Sequence, residues 1–153
     1  FGHREDPLPI TLPDLQAIFA QGWRLISEDE LGEWGLSELL ATFMDEASGL
    51  RLATGWRGDR YQVWEDARGQ LALIYRVRWQ AEGPAEAFAQ AYAGLQEKKH
   101  ATLAGRAVKG AGSLWSWQDG ARGFLVERRG SDVLVLERVP VVSVERIRQT
   151  IWP

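Results

Sequence analysis

Two histidines, His3 and His100, limit the metal and acid–base chemistry open to this sequence. They stand far apart, no H-E-x-x-H sets two imidazoles on one helix face, and cysteine is absent, which excludes a thiolate-ligated zinc site. His3 reads as a solvated residue of an N-terminal arm and His100 as a helix-end residue beside Lys98 and Lys99. Serine chemistry finds no frame either. Gly110-Ala111-Gly112-Ser113 precedes an expected strand instead of following one, so it is no nucleophile elbow. It also lacks the Lys and Ser/Thr of a phosphate loop and reads as a flexible linker. The carboxylates come in pairs without roles. Glu65 and Asp66 are adjacent and would point to opposite faces of a strand, and Glu28/Glu30 has no partner marking one as acid and one as base. No catalytic residue, metal ligand or cofactor-binding residue is therefore assigned, and the chain is expected to carry no cofactor and no enzymatic activity of its own.

Three features remain that could bind something. Arg57-Gly58-Asp59 spells a tripeptide that some integrins read. The competing reading is a turn, in which Gly58 supplies an unusual dihedral and Asp59 bonds the local backbone. Eight tryptophans are many for this length. Most are expected to fill a core, where each buries a large area, and Trp64 and Trp115 are the candidates for exposed stacking surfaces. The third feature is a strand face. In residues 71–79, Leu71, Leu73, Tyr75, Val77 and Trp79 alternate with Ala72, Ile74, Arg76 and Arg78. Two guanidinium groups on one face seldom enter an apolar interior, because an unpaired charge is costly to desolvate. Ile74, Arg76, Arg78 and Gln80 thus form a candidate docking face, turned away from the main core.

The elements that must hold these residues follow from spacing. Residues 1–13, with three of the six prolines, read as an extended arm. A short helix over 14–20, a strand over 23–26 and a helix over 31–45 follow. The last has Leu31, Trp34, Leu36, Leu39, Leu40, Phe43 and Met44 on one broad apolar face, and Asp29 and Glu30 suit its N-terminus. A further short helix is expected over 50–54, capped by Ser48. Strands over 60–65 and 71–79 flank a hairpin loop containing Gly69. An alanine-rich helix from Gly83-Pro84 to about Lys99 carries Phe88, Tyr92 and Leu95. Residues 101–112 read as the one mobile loop. Strands over 113–118, 123–128 and 132–137 and a closing helix over 144–151 complete the chain. The order predicts one α+β domain over 1–153, with an antiparallel sheet of about five to six strands and helices packed mainly on one face.

At 153 residues the chain suits a single domain. Its net charge of −3, with Arg interspersed among Glu and Asp, argues against a nucleic-acid partner. No apolar run is long enough to span a bilayer. Asn is absent and Arg far outnumbers Lys, which fits either a thermophile or a GC-rich genome. The first residue is Phe1, so the chain is expected to be a processed protein or part of a longer one.

Residues 12–79 resemble the C-terminal region of a family of secreted or lipid-anchored bacterial and archaeal proteins. The resemblance rests on Leu12-Pro13-Asp14-Leu15, Gly22-Trp23, Leu31-Gly32-Glu33, the segment Gly55-Trp56-Arg57-Gly58-Asp59-Arg60-Tyr61, and Trp79. That family commonly has Gly where Arg57 stands and Phe where Trp34 stands, and its N-terminal half carries a zincin-type H-E-x-x-H signature. The resemblance implies an extracytoplasmic setting and a peptidase-like half upstream of Phe1, with none of its presumed catalytic residues in this chain. Gly55, Trp56, Gly58, Asp59 and Arg60 are expected to form a structural signature, a tight helix-to-strand turn locked by an ion pair. The functional expectation is a non-catalytic accessory domain whose partner is the missing half or a second copy. The alternative is a freestanding extracellular binding module.

Overall fold

The alternation in residues 71–79 organises the architecture. In a computed structural model describing residues 7–152, Leu71–Trp79 is a central strand with helices on both of its faces. The elements are α1 (Gln16–Phe19), β1 (Arg24–Asp29), α2 (Gly32–Phe43), α3 (Glu46–Ala53), β2 (Trp56–Glu65), β3 (Leu71–Trp79), α4 (Glu82–Lys99), β4 (Val108–Lys109), β5 (Leu114–Asp119), β6 (Arg122–Arg129), β7 (Asp132–Pro140) and α5 (Val144–Ile151). The fold is α+β. All neighbouring strands pair antiparallel in one seven-stranded sheet of order β1-β2-β3-β7-β6-β5-β4. The sheet is thus two meanders, β1–β3 and β4–β7, joined along β3 and β7 and connected in sequence by α4. The strand beyond the expected six is β4, two residues long inside the stretch expected to be a mobile loop. It is too short to show a period. That stretch also holds a 3₁₀ turn, Ala101–Leu103, whose Leu103 is buried.

Helices cover both faces, not mainly one. Tyr75, Val77 and Trp79 of β3 join Val133 and Val135 of β7 beneath Phe88 and Tyr92 of α4 and Leu36 and Leu40 of α2. Ala85, Ala89 and Ala93 are small enough to bring the α4 backbone down onto this layer, and all three are buried. On the opposite face Ile74, Leu125, Leu134 and Leu136 pack with Leu15 and Phe19 of the α1 region and with Ile147, Ile151 and Trp152 at the C-terminus. Arg76 and Arg78 suggest a polar second face, yet they occupy only one end of it. The rest is a second core.

Local chemistry sets the element ends. The β2–β3 turn is tied by Asp66, whose Oδ1 accepts from the Arg68 and Gln70 amides, while Gly69 takes a φ of +81°. Helix α3 starts four residues before the expected position, because Asp45, not Ser48, is its cap: Oδ1 accepts from the Ser48 amide at 2.7 Å. Strand β2 likewise starts at Trp56, so Arg57-Gly58-Asp59 lies within a strand, at a bulge between Trp56 and Gly58, and not in a turn.

Gly58 is required for space, not for its dihedral. The Leu8 amide donates to the Arg57 carbonyl at 2.6 Å, and a Cβ on residue 58 would stand 2.2 Å from the Leu8 carbonyl oxygen. Gly58→Ala is therefore expected to lift the Pro7–Ile10 segment from the sheet and cost about 1–3 kcal/mol, the usual range for overpacking. Faster proteolytic cleavage near residue 8 checks this. Wild-type protection in the variant would show that the arm docks without Gly58.

Candidate functional site

One cross-strand row opens the site. Val63 of β2 stands opposite Leu73 of β3, and Leu73 stands opposite Glu137 of β7. The row lies on the face that carries α2 and α4, yet the two helices leave it uncovered. Val63 and Leu73 are half-buried, and Leu71 beside them is 48% exposed. Leu31 and Leu39 on the α2 side, Tyr61 and Tyr75 from the sheet and Tyr92 from α4 enclose a cleft of about 180 Å³ over this floor, with almost wholly apolar walls. An adjoining hollow of about 310 Å³ shares Val63 and Leu73 and runs past Leu71 to His100, Glu137 and Arg138. Together they form an apolar trough with one charged end.

Two tyrosines are held by carboxylates. The Tyr75 hydroxyl donates to Asp59 Oδ2 at 2.7 Å, and the Tyr92 hydroxyl donates to Glu137 Oε1 at 2.8 Å. Burial, reinforced in each case by the adjacent carboxylate, pushes both phenols well above their ordinary range, so they stay neutral donors. Asp59 also accepts from the Leu31 amide at 3.0 Å and the Gly32 amide at 3.2 Å. It thus caps α2 from 27–28 residues away and fixes that wall of the trough.

At the charged end, Lys99 Nζ donates to Glu137 Oε1 at 2.5 Å, and His100 Nε2 stands 3.7 Å from Oε2. Burial alone would raise the Glu137 carboxyl. His100, Lys99 and Tyr92 override it and hold the group at about 2. A carboxylate so firmly ionised is a poor proton carrier near neutrality, where efficient general acid–base groups have a pKa near the working pH. The arrangement suits binding.

The next residue, Arg138, adopts φ +56° at a point where the β6–β7 register shifts between Gly123 and Leu125. Left-handed backbone is unfavourable for a side chain of this kind, and bulges re-aim side chains. Here the bulge brings a guanidinium nitrogen within 3.4 Å of His100 Nδ1 and the guanidinium carbon to 6.0 Å over the Phe124 ring. Arg138 is exposed, and among the described residues no salt bridge engages it.

The residues singled out in the sequence fall elsewhere. Gly55 takes φ +92°, and its carbonyl accepts from the Gln80 amide at 2.7 Å. Trp56 packs against the main core. Asp59 is not paired with Arg60. Arg60 Nε donates to Glu28 Oε2 at 2.9 Å, so the expected ion pair is replaced by a capping contact and a separate bridge. Of the docking face, Ile74 is buried and Gln80 is exposed. Arg76 Nη2 and Arg78 Nε donate to the two oxygens of Asp132 at 2.6 and 2.8 Å. Trp152 lies under Arg76 and Arg129, with ring-centroid distances of 5.1 and 5.2 Å, and donates to Glu127 at 2.9 Å. The C-terminal residues thus already occupy part of that face. Trp64 is not exposed: it is 1% accessible, stacked on Phe19 at 4.6 Å, and donates to Gln62. Trp115 is half-buried, and Trp34, expected on the apolar face of α2, is 71% exposed. His3 lies outside the described residues. Among the described residues no group of three or more His, Asp or Glu could hold a metal, and no helix is long and apolar enough to cross a membrane.

In the sequence Leu71, Leu73 and Tyr75 read as a core-facing strand face, Tyr92 as part of a helix core stripe and His100 as a helix-end residue, and nothing there marks them as one site. Leu71 and Leu73 are left partly uncovered instead. A signal existed at Glu137-Arg138, a charged pair set in the otherwise apolar run of β7. A family model described as "Domain of unknown function (DUF8575)" matches residues 21–148, which include every residue of the trough. No curated protein and no solved structure matches the chain.

Proposed function

The chain belongs to the DUF8575 family, and from that premise we propose that it is a non-catalytic binding domain that holds an apolar ligand in the trough over Val63 and Leu73. One observation carries the reading: Val63 and Leu73, on the sheet face that packs α2 and α4, stay half-buried at the floor of a cleft with apolar walls. An apolar hollow of some 300 Å³ is at the lower limit of small-ligand sites. We further propose that the domain works outside the cytoplasm, as an accessory to a zincin-like half of a longer protein. The support is the resemblance over residues 12–79; the Asn-free, Arg-rich composition is compatible with a hot habitat.

The trough reading is tested with Nile red, a neutral dye that fluoresces in apolar surroundings. Saturable binding at one site is expected. It should weaken about tenfold or more in Val63→Trp, which fills the floor, and in Leu71→Asp, which places a charge at the rim. Equal binding by both variants and wild type would place the dye elsewhere and end this reading. The accessory role is tested on the gene: an H-E-x-x-H segment upstream of Phe1 is expected, whereas a signal peptide directly before Phe1 would favour a freestanding module.

A further inference from the structure

We propose that the ligand of the trough is a single-chain amphiphile with an anionic head, its alkyl chain over Val63 and Leu73 and its head at Arg138 and His100. The inference rests on the binding reading above and names the chemistry of the occupant.

The floor argues for an alkyl chain over a peptide. Val63 and Leu73 are paired with neighbouring strands on both sides, so the floor of the cleft offers few free backbone groups. Tyr75 and Tyr92 have committed their hydroxyls to carboxylates. A peptide laid along the cleft would bury amides with few partners, at considerable cost, whereas a hydrocarbon chain has no polar groups to satisfy. The inner cleft is small, about 180 Å³, and the larger space, about 310 Å³, lies toward His100. That shape takes one chain with its head at the wide end.

The charge at the wide end is positive. Glu137 would repel an anion if free, but Lys99 neutralises it at 2.5 Å and Tyr92 and His100 face the same carboxylate. Arg138 remains, exposed at the rim and held there by a left-handed backbone at the bulge. Its contact with His100 Nδ1 is 3.4 Å, a weak tether for a group with five donors. A carboxylate or phosphate gives a guanidinium the two-pronged acceptor it matches best.

The test compares decanoate, decyl phosphate and decanol by calorimetry on wild-type protein, Arg138→Asn and Val63→Trp. Asparagine removes the charge yet tolerates left-handed backbone, so the fold is kept. At least one of the two anions is expected to bind wild type about tenfold or more tighter than decanol, the size of one charge-assisted contact. That advantage should vanish in Arg138→Asn while decanol binds unchanged, and Val63→Trp should weaken all three. If decanol equals both anions, or if the anions keep their advantage without Arg138, the head-group assignment falls and the apolar trough stands. If wild type binds none of the three and no Nile red, both fall.

Discussion

Asp59→Ala is expected to lower the melting temperature by roughly 6–20 °C. The carboxylate is buried and accepts from three donors on two elements: the Leu31 and Gly32 amides at the start of α2 and the Tyr75 hydroxyl in β3. Each donor left without a partner in the interior costs about 1–3 kcal/mol. Water can reach the half-buried helix amides but not the Tyr75 hydroxyl, so the combined loss should be about 3–5 kcal/mol. At ~2–4 °C per kcal/mol for a chain of this size, that gives the stated shift. Asp59→Asn keeps one acceptor oxygen and should lose about half as much. Thermal unfolding followed by circular dichroism measures both, and hydrogen exchange at Leu31 and Gly32 locates the effect. A shift under ~2 °C in Asp59→Ala would mean that α2 is held by its apolar face alone.

The second large effect belongs to Glu137. Glu137→Ala strands the Lys99 ammonium, whose side chain is only 16% exposed, and removes the acceptor of the Tyr92 hydroxyl. Breaking one side of a buried pair costs about 3–5 kcal/mol. The same group makes a pH prediction. Its folded pKa, about 2, lies below the ordinary 4.5, so ionisation favours the folded state. The contribution is complete above about pH 5 and is lost as the pH falls toward 2, and the shift corresponds to roughly 3 kcal/mol. Asp132 and Glu127 are shifted the same way: burial opposes ionisation, but Arg78 and Arg76 in one case and Arg148 in the other prevail. The wild-type denaturation midpoint should therefore fall steeply below pH 5. In Glu137→Gln the fall should be shallower by about the Glu137 share. Parallel profiles for the two proteins would assign acid sensitivity to the other carboxylates.

The sheet was legible in the sequence wherever one strand face met apolar cover and the other differed in kind. The period of two in β3 is clean because Tyr75, Val77 and Trp79 meet α4 and α2 while Arg76 and Arg78 meet Asp132. It failed at β4, which is too short for any period, and at the start of β2, where Gly58 interrupts the side-chain pattern. Trp64 was misplaced for a different reason: its strand neighbour Gln62 looks like a solvent-facing residue. Gln62 is buried as the acceptor of the Trp64 indole and a donor to the Pro13 carbonyl, contacts supplied by segments distant from any local pattern. The site was less legible than the fold. Val63, Leu73, Tyr92, Lys99, His100 and Glu137 come from β2, β3, β7, α4 and the residue that follows it, and only strand register and the packing of α4 on the sheet bring them together. Arg138 depends on a bulge that a non-glycine residue gives no local reason to expect.

The seam between the two meanders has a kinetic meaning. Strands β2–β3, β4–β5, β5–β6 and β6–β7 are hairpin neighbours and can pair early, since short loops close at little entropic cost, while β1 reaches β2 across the α2–α3 connection. Joining β3 to β7 brings together residues 54–64 apart in sequence, from Arg78 opposite Asp132 to Leu73 opposite Glu137. Chain closure over such a span must precede the contacts that reward it, and pairings of this kind slow folding. The zipping of this one seam is thus the expected slow event on the way to the native chain. Asp132, accepting from two guanidiniums across it, acts as the latch that keeps the finished halves from parting.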